Sequence, residues 1–511
     1  MNLRPVLLAL ALSSAAFAAE QAATHALPPG IEWRQGNVEA AFAEAKASNK
    51  PLFLYWGAVW CPPCNQVKAT IFNRQDFIAR TRQFVPVFLD GDSPDAQKLA
   101  SKFKVVGYPT MILFKPDGTE VTRLPGEVDG ERYVRALSAA LRTSRPVKAL
   151  LASALKGDKL AEQDWQLLAD YSWDGDEAQL VAADKLADTL QALASKSPVK
   201  TSYAATRLQL KALAIAAGRK QTIAFDKAAT LAGIETLLAD AKRVKGQSDI
   251  IANLAEPIIE QVTAEGAQRK QLAAKWEKAL DTLTADPTFS TADRLDALST
   301  KLALVRLQSG KDDLPAAVVA NVRKTVDAAD KKTTNGYERQ AVIASAGHLL
   351  TDAGLVKESD TLLLAELKKS HSPYYHMQIL ASNAKLRGDK VGALDWYGKA
   401  YDASVGEATR LQWGSNYVGN IVELAPQDEA RVEKASLAVV ADAEKAKSAF
   451  YERSQRSMKK LVDKLRGWSK DGQHEAVVKR VLVKLGDVCT RLPANDPQRA
   501  SCEGLLKKPQ A

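Results

Sequence analysis

The stretch VWCPPCN, residues 59–65, places Cys61 and Cys64 three positions apart with only prolines between them. The apolar run PLFLYWGAV, residues 51–59, leads into it and predicts a buried strand. The segment QVKATIFNRQDFIART, residues 66–81, follows the pair and predicts a helix. The two thiols are therefore expected where a strand runs into the first turn of a helix.

The region around this pair, residues 29–145, mixes the hydrophobic periods of helices and strands. The predicted order is helix, strand, helix, strand, helix, strand, strand, helix. The two adjacent strands form a hairpin that turns at residues 116–118, and Pro146 ends the last helix. This order predicts an α/β domain.

The remainder of the 511-residue chain has a different composition. After Pro146 strand-like runs vanish, and Ala, Leu, Lys, Asp and Glu recur at helical spacing. Two similar segments begin at Gly354 and Gly388, 34 positions apart, which is the length of a tetratricopeptide repeat. Residues 146–511 are therefore predicted to form an all-α helical-repeat region, solenoid-like, with tetratricopeptide-like units near residues 340–425. An irregular helical bundle is the alternative.

The N-terminus has the layout of a cleaved secretory signal over residues 1–18. Arg4 precedes an apolar run that ends in the small-residue segment 16–18, so the mature chain is expected to begin at Ala19. No later stretch is apolar for long enough to cross a bilayer. The net charge is +10, but the Lys and Arg residues alternate with Asp and Glu along the chain, so no concentrated basic surface for nucleic acid is predicted. We expect an exported, periplasmic protein that does not span the membrane.

Four interpretations of Cys61 and Cys64 compete. A c-type haem needs His directly after the second cysteine, but Asn65 stands there. Structural zinc takes two such pairs or a pair with two histidines, and only His25 lies near this domain. A structural disulfide spanning two residues removes little chain entropy and so stabilises little. Redox chemistry remains, and it requires no metal and no cofactor.

The positions of the two cysteines at the start of the predicted helix indicate different roles for their thiols. A thiol in the first turn faces the positive end of the helix dipole and free N–H groups, which favour the thiolate. Cys61 is therefore predicted to be the nucleophile, with a lowered pKa. The amides of Cys64 and Asn65 are the expected donors near its sulfur. Cys64 is placed to attack the mixed disulfide and release the partner.

The chain resembles the thioredoxin family through Trp60 and the CPPC motif, and through VGYPT, residues 106–110. Within that family it is most similar to the periplasmic reductase domain of bacterial transmembrane thiol:disulfide interchange proteins. The resemblance covers roughly residues 29–145 and implies a thioredoxin fold. It also implies a cis bond between Tyr108 and Pro109, beside the active disulfide. Trp60, Tyr108 and Pro109 would then shape the substrate groove.

Two positions depart from the family pattern. Many thioredoxins have a buried acid in the strand before the pair, where it exchanges a proton with the second thiol; this chain has Tyr55 there. Tyrosine is a poor base at neutral pH because its pKa is near ~10. Phe88 stands where the family often places a lysine. Asp90 and Asp92 are candidate substitutes.

Two further cysteines, Cys489 and Cys502, enclose a proline-containing loop in a helical context. They have neither the short spacing nor the helix-start position of the first pair. Because disulfides persist in exported proteins, we expect these two residues to form a structural disulfide.

Together these features predict an exported thiol-disulfide oxidoreductase. Its partners would be cysteine-containing exported proteins and a redox partner that resets the active site. Reduction, oxidation and isomerisation are left open, since the direction depends on the relative stability of the two redox states. The alternative is a helical-repeat interaction protein or chaperone-like scaffold whose thioredoxin domain serves for binding. The break at Pro146 suggests that residues 19–145 fold and exchange disulfides alone.

Overall fold

The computed structural model describes residues 27–126, 130–143, 145–176 and 179–507. The predicted signal peptide, residues 1–18, lies outside the described residues. The N-terminal domain contains, in chain order, β1 (Arg34–Gln35), α1 (Val38–Ser48), β2 (Leu52–Gly57), α2 (Pro62–Thr70), α3 (Gln75–Thr81), β3 (Val85–Asp90), α4 (Pro94–Phe103), β4 (Thr110–Phe114), β5 (Glu120–Leu124) and α5 (Gly130–Arg142).

The five strands form one sheet in the order β1-β3-β2-β4-β5. Strands β1, β3 and β2 are parallel, whereas β4 and β5 are antiparallel to their neighbours. Every residue of the central strand β2 is buried, as its continuous apolar run predicted. The chain leaves β2 directly into the loop that carries Cys61. The predicted α/β domain is confirmed.

Two details of the prediction were wrong. The single helix predicted over residues 66–81 is two helices, α2 and α3, because residues 71–74 interrupt it. There Ile71 and Phe72 turn into the core, and the Phe72 ring stacks on Phe77 at 5.1 Å. Strand β1 was not predicted, since two residues are too few to show a period.

The rest of the described chain is helical. Its α-helices are α6 (Val147–Lys156), α7 (Glu162–Asp170), α8 (Leu186–Lys196), α9 (Tyr203–Gly218), α10 (Lys227–Leu238), α11 (Ala241–Gly246), α12 (Ser248–Asn253), α13 (Ala255–Val262), α14 (Ala267–Ala285), α15 (Thr291–Ser309), α16 (Ala316–Lys332), α17 (Gly336–Asp352), α18 (Val356–Glu366), α19 (Pro373–Leu386), α20 (Lys390–Ala403), α21 (Glu407–Leu424), α22 (Glu429–Lys445), α23 (Glu452–Trp468), α24 (Glu475–Arg491) and α25 (Pro497–Leu506). Among the described residues, no helix is both long and apolar enough to cross a membrane. The predicted all-α region is confirmed.

The two glycines that mark the 34-residue spacing occupy equivalent places. Gly354 joins α17 to α18 and Gly388 joins α19 to α20, with φ of +78° and +74°. Glycine suits this left-handed conformation because it has no Cβ. In the second hairpin Ala393, Tyr397 and Ala400 are buried. The tetratricopeptide-like assignment near residues 340–425 stays a prediction.

The two faces of the sheet are covered differently. Leu52, Leu54 and Trp56 of β2 face an apolar core closed by α1 and α4. On the other face, Phe53 and Tyr55 enter a core that runs through α2 and α5 and continues into α6–α15. The predicted domain boundary between residues 145 and 146 therefore runs through one continuous hydrophobic core.

A buried ion network crosses the same boundary. Arg132 of α5 and Arg207 of α9 both pair with Asp249, and Arg207 lies 3.4 Å from the carboxylate of Asp170. Burial alone would raise the pKa of Asp249, but the two guanidiniums hold it well below its ordinary value. The expectation that residues 19–145 fold alone does not fit this arrangement, because separation would leave Arg132 and an apolar face uncovered.

Candidate active site

The cysteine pair lies at the start of α2, as predicted. Cys61 is the N-cap residue, and its sulfur is bonded to that of Cys64 with the two Cα atoms 5.2 Å apart. The amide of Cys64 donates to Cys61 Sγ at 3.2 Å. The amide of Asn65 instead donates to the carbonyl oxygen of Cys61 at 3.0 Å, so its expected role beside the sulfur was wrong.

The Asn65 side chain secures the loop before the pair. Its Nδ2 donates to the carbonyl oxygens of Val59 at 2.7 Å and Cys61 at 3.0 Å. Asn65 is fully buried at the first turn of α2. Sequence reasoning used Asn65 only to exclude haem and missed this role, although asparagine near a helix start commonly bonds to nearby backbone.

The residues predicted to shape the substrate groove lie beside Cys61. The Tyr108–Pro109 bond is cis, as the resemblance implied, and Cys61 Sγ lies 3.5 Å from the carbonyl oxygen of Tyr108. The Trp60 and Tyr108 rings are 6.4 Å apart. The Tyr108 hydroxyl donates to the Gly91 carbonyl at 2.7 Å, which fixes the ring.

Tyr55 and Phe88, the two departures from the family pattern, lie against each other. Their ring centroids are 5.5 Å apart in the apolar core below the pair. Burial raises the pKa of Tyr55 above its ordinary value, so this side chain stays neutral. The tyrosine hydroxyl lies over Gly57, leaving no room for a Cβ there. An aromatic contact thus occupies the place where the family pattern has charged groups.

The two aspartates considered as substitutes have different environments. Asp92 Oδ2 accepts from Trp60 Nε1 at 2.9 Å and from the Thr409 hydroxyl at 2.5 Å. Asp90, the last residue of β3, is exposed, and partial desolvation, together with the neighbouring Asp92 charge, raises its pKa. Burial also lowers the pKa of Lys68, in α2, to about 8. Asp92 is held by these hydrogen bonds, and the suggestion that Asp90 exchanges a proton with Cys64 stays a prediction.

The helical region covers the loop in front of Cys61. His371 Nε2 lies 3.0 Å from the Val59 carbonyl oxygen, and Gln340 Nε2 donates to the Trp60 carbonyl oxygen at 3.4 Å. The Trp60 ring packs between Tyr375 and Trp413, each with its centroid 6.5 Å away. We call this set of contacts, with those of Asp92, the rim contact.

The rim contact lies beside Cys61, which has only 2% of its surface exposed. Sequence reasoning missed its members in the helical region, which lie about 280 or more positions from the cysteines. No local pattern in the sequence signals pairs at such distances.

The second cysteine pair is joined as well. Cys489 of α24 and Cys502 of α25 form a disulfide with Cα atoms 5.5 Å apart. Both residues are buried in the apolar core of the C-terminal helices. Among the described residues, no group of three or more His, Cys, Asp or Glu side chains could hold a metal ion.

Comparisons with known proteins agree on the N-terminal domain. Residues 38–141 match the family described as a thioredoxin-like domain. Thiol:disulfide interchange protein DsbD 1 of Pseudomonas aeruginosa is 29% identical over 126 residues, 23% of this chain and 21% of that protein. Thioredoxin of Mycolicibacterium smegmatis is 35% identical over 94 residues, 18% of this chain and 81% of that protein.

The interchange proteins are matched over only a small part of their length. A second one, from Pseudomonas fluorescens, is 29% identical over 102 residues, and this chain spans about a fifth of the length of each. A solved structure, of a putative disulphide-isomerase from Bacteroides thetaiotaomicron, is 25% identical, covers 23% of this chain and 99% of its own, and has a TM-score of 0.21.

Proposed function

This chain belongs to the thioredoxin family through its N-terminal domain, and on that premise we propose that it is an exported thiol-disulfide oxidoreductase with Cys61 and Cys64 as its active site. The observation that carries the proposal is the position of Cys61 as N-cap of α2, bonded to Cys64 and receiving the Cys64 amide at 3.2 Å. This N–H group and the positive end of the helix dipole stabilise a thiolate once the disulfide is reduced.

The exchange proceeds through a mixed disulfide. A partner thiolate attacks Cys61 Sγ, the bond to Cys64 breaks, and a bond between Cys61 and the partner forms. A second partner thiolate then displaces Cys61, so the partner leaves oxidised and the cysteine pair takes up two electrons and two protons. The reduced enzyme runs the same bond changes in reverse and reduces a partner disulfide.

Export is supported by two features. Residues 1–18 have the composition of a cleaved signal, and all four cysteines are paired as disulfides. Disulfides persist in oxidising compartments such as the periplasm. The substrates would then be exported proteins that contain cysteine, and a second redox protein would reset the pair. N-terminal sequencing of exported protein should start at Ala19; a start at Met1 contradicts export.

A binding role without turnover is the second candidate. The observation that favours it is the burial of Cys61. Catalysis requires a partner sulfur to reach Cys61, whereas a protein that only binds partners does not need an accessible thiol. The two candidates differ in what Cys61→Ser changes. A scaffold keeps its bound partners in this variant, whereas an oxidoreductase loses all exchange.

The test uses the full chain with three variants. Cys61→Ser should abolish exchange, and Cys64→Ser should accumulate mixed disulfides, because the resolving thiol is missing. The matched control removes the other pair, Cys489→Ser with Cys502→Ser, and should keep turnover. Alkylation of the reduced protein at graded pH should show one thiol reacting well below pH ~8.5. Equal titration of both thiols near that value contradicts the assigned roles.

A further inference from the structure

Helix α23 brings two arginines, one helical turn apart, onto the two loops that flank Cys61. Arg453 Nη1 pairs with Asp92 Oδ1 at 2.5 Å, and Asp92 Oδ2 in turn accepts from Trp60 Nε1. Arg456 Nη2 donates to the carbonyl oxygen of Val106 at 2.7 Å, on the side of the cis-proline loop. One element of the helical region therefore contacts both the Trp60 side and the cis-proline side of Cys61, which we call the two walls of the entry to the disulfide.

Arg453 is held by several contacts. Its guanidinium lies 4.5 Å from the centroid of the Trp60 ring and 5.6 Å from that of Tyr108. It also donates to the Gln412 side chain, and only 8% of the residue is exposed. A buried guanidinium that stacks on aromatic rings and pairs with a carboxylate interacts strongly with both. Arg453 thereby fixes Trp60 and Asp92 together.

Access to Cys61 depends on these walls. Cys61 Sγ lies 3.5 Å from the Tyr108 carbonyl, so a partner sulfur must enter between the Trp60 loop and the segment ending at Pro109. Helix α23 bridges both. A polypeptide segment needs that entry widened, whereas a small disulfide needs only a narrow path to one sulfur atom.

We propose that Arg453 and Arg456 form a specificity-determining clamp, which keeps the entry to the disulfide narrow and favours small disulfides over protein disulfides until a partner displaces α23. The inference rests on the proposed exchange function. The clamp residues act on access to the sulfur, not on the bond changes. Its signature is the ratio of protein exchange to small-disulfide exchange.

The experiment measures kcat/KM of the full chain for insulin and for hydroxyethyl disulfide, with dithiothreitol as the reductant that resets the cysteine pair. Arg453→Met should raise the ratio of insulin to hydroxyethyl disulfide at least about tenfold, and Arg456→Met about threefold, because Arg453 makes more contacts. The control is Lys459→Met, on the same helix with 59% of its side chain exposed, which should not change the ratio. A ratio unchanged in both arginine variants overturns the clamp.

Two further outcomes keep the test decisive. If Arg453→Met does not fold, as judged by circular dichroism, Arg456→Met decides alone, and an unchanged ratio there overturns the clamp. Absence of exchange with hydroxyethyl disulfide in the wild-type chain overturns the proposed function itself. If the wild-type chain exchanges with hydroxyethyl disulfide and its insulin rate already equals that of both arginine variants, the clamp is overturned. The proposed function is then unaffected.

Discussion

Two of the contacts between the thioredoxin domain and the helical region differ in chemistry. The first, the core contact, is mainly apolar: Tyr133 and Leu137 of α5 share one core with Leu150 of α6 and Leu168 of α7, and the Asp249 ion network lies beside it. The second, the rim contact, consists of hydrogen bonds, an ion pair and aromatic rings around Trp60.

Because of this difference, the folding of the chain and the access of partners to Cys61 depend on different contacts. Apolar burial is non-directional and is lost only when the elements come apart, so the core contact makes the two regions one folding unit. Hydrogen bonds in the rim contact can be exchanged for bonds to water at a small net change in free energy. The rim contact can therefore open while the core contact stays closed.

The largest effect is expected from breaking the core contact at its ion network. Asp249→Asn leaves Arg132 and Arg207 buried without their shared carboxylate, which should lower the free energy of unfolding by about 4 kcal/mol. Urea unfolding measures it. The control is Asp327→Asn in the exposed pair with Lys331, expected within about 0.5 kcal/mol of wild type. Equal effects of the two variants would contradict the account.

The C-terminal disulfide should affect stability without affecting access. Replacing Cys489 and Cys502 by serine removes a cross-link that closes a short loop, and the free energy of unfolding should fall by about 3 kcal/mol. Peptide mapping without reductant should recover the two residues in one cross-linked fragment. Turnover should be unchanged at temperatures where the variant is folded. A folded but inactive variant would place this pair in an electron relay.

Acid should destabilise the side of the helical region that forms the rim contact. Burial, with smaller effects from His371 and Arg339, lowers the pKa of His376 to about 4. The unfolded chain then binds more protons than the folded chain between pH 6.5 and 4, so stability falls as pH falls through this window. We expect a loss of about 2 kcal/mol between pH 7 and pH 5. Urea unfolding at pH 7 and pH 5 measures this loss in the wild type and in His376→Phe. The variant should not show it, and an equal loss in both proteins would contradict the assignment.

The smallest expected effect on stability is at the rim contact itself. Tyr375→Ala removes one ring beside Trp60 and should lower the free energy of unfolding by about 1 kcal/mol. Tyr133→Ala, the matched change in the core contact, should lower it by about 3 kcal/mol. Thermal and urea unfolding compare the two. Similar losses would remove the distinction between the contacts.

The sequence predicted the parts of this molecule that local patterns determine. The buried run before Cys61 and the helix after it placed the cysteine pair, whereas the cis bond before Pro109 was implied by the family resemblance that VGYPT carries. The interruption of the predicted helix at Phe72 was missed because burial in a tertiary core overrode the helical period. The cover over the active site was missed for a stronger reason. Arg453 is separated by 361 positions from its partner Asp92, and no helical period carries information about such a pair.

The measurement that tests the difference between the two contacts most directly is alkylation of a single buried cysteine at urea concentrations too low to unfold the chain. In one protein Cys61 is the only cysteine; in the other the only cysteine is introduced by Ala169→Cys, at a fully buried position in the core contact. We predict that a bulky maleimide labels Cys61 at a rate nearly independent of urea, because local opening exposes little surface. Labelling at position 169 should rise steeply with urea and follow global unfolding. The same steep dependence at both positions would contradict the account.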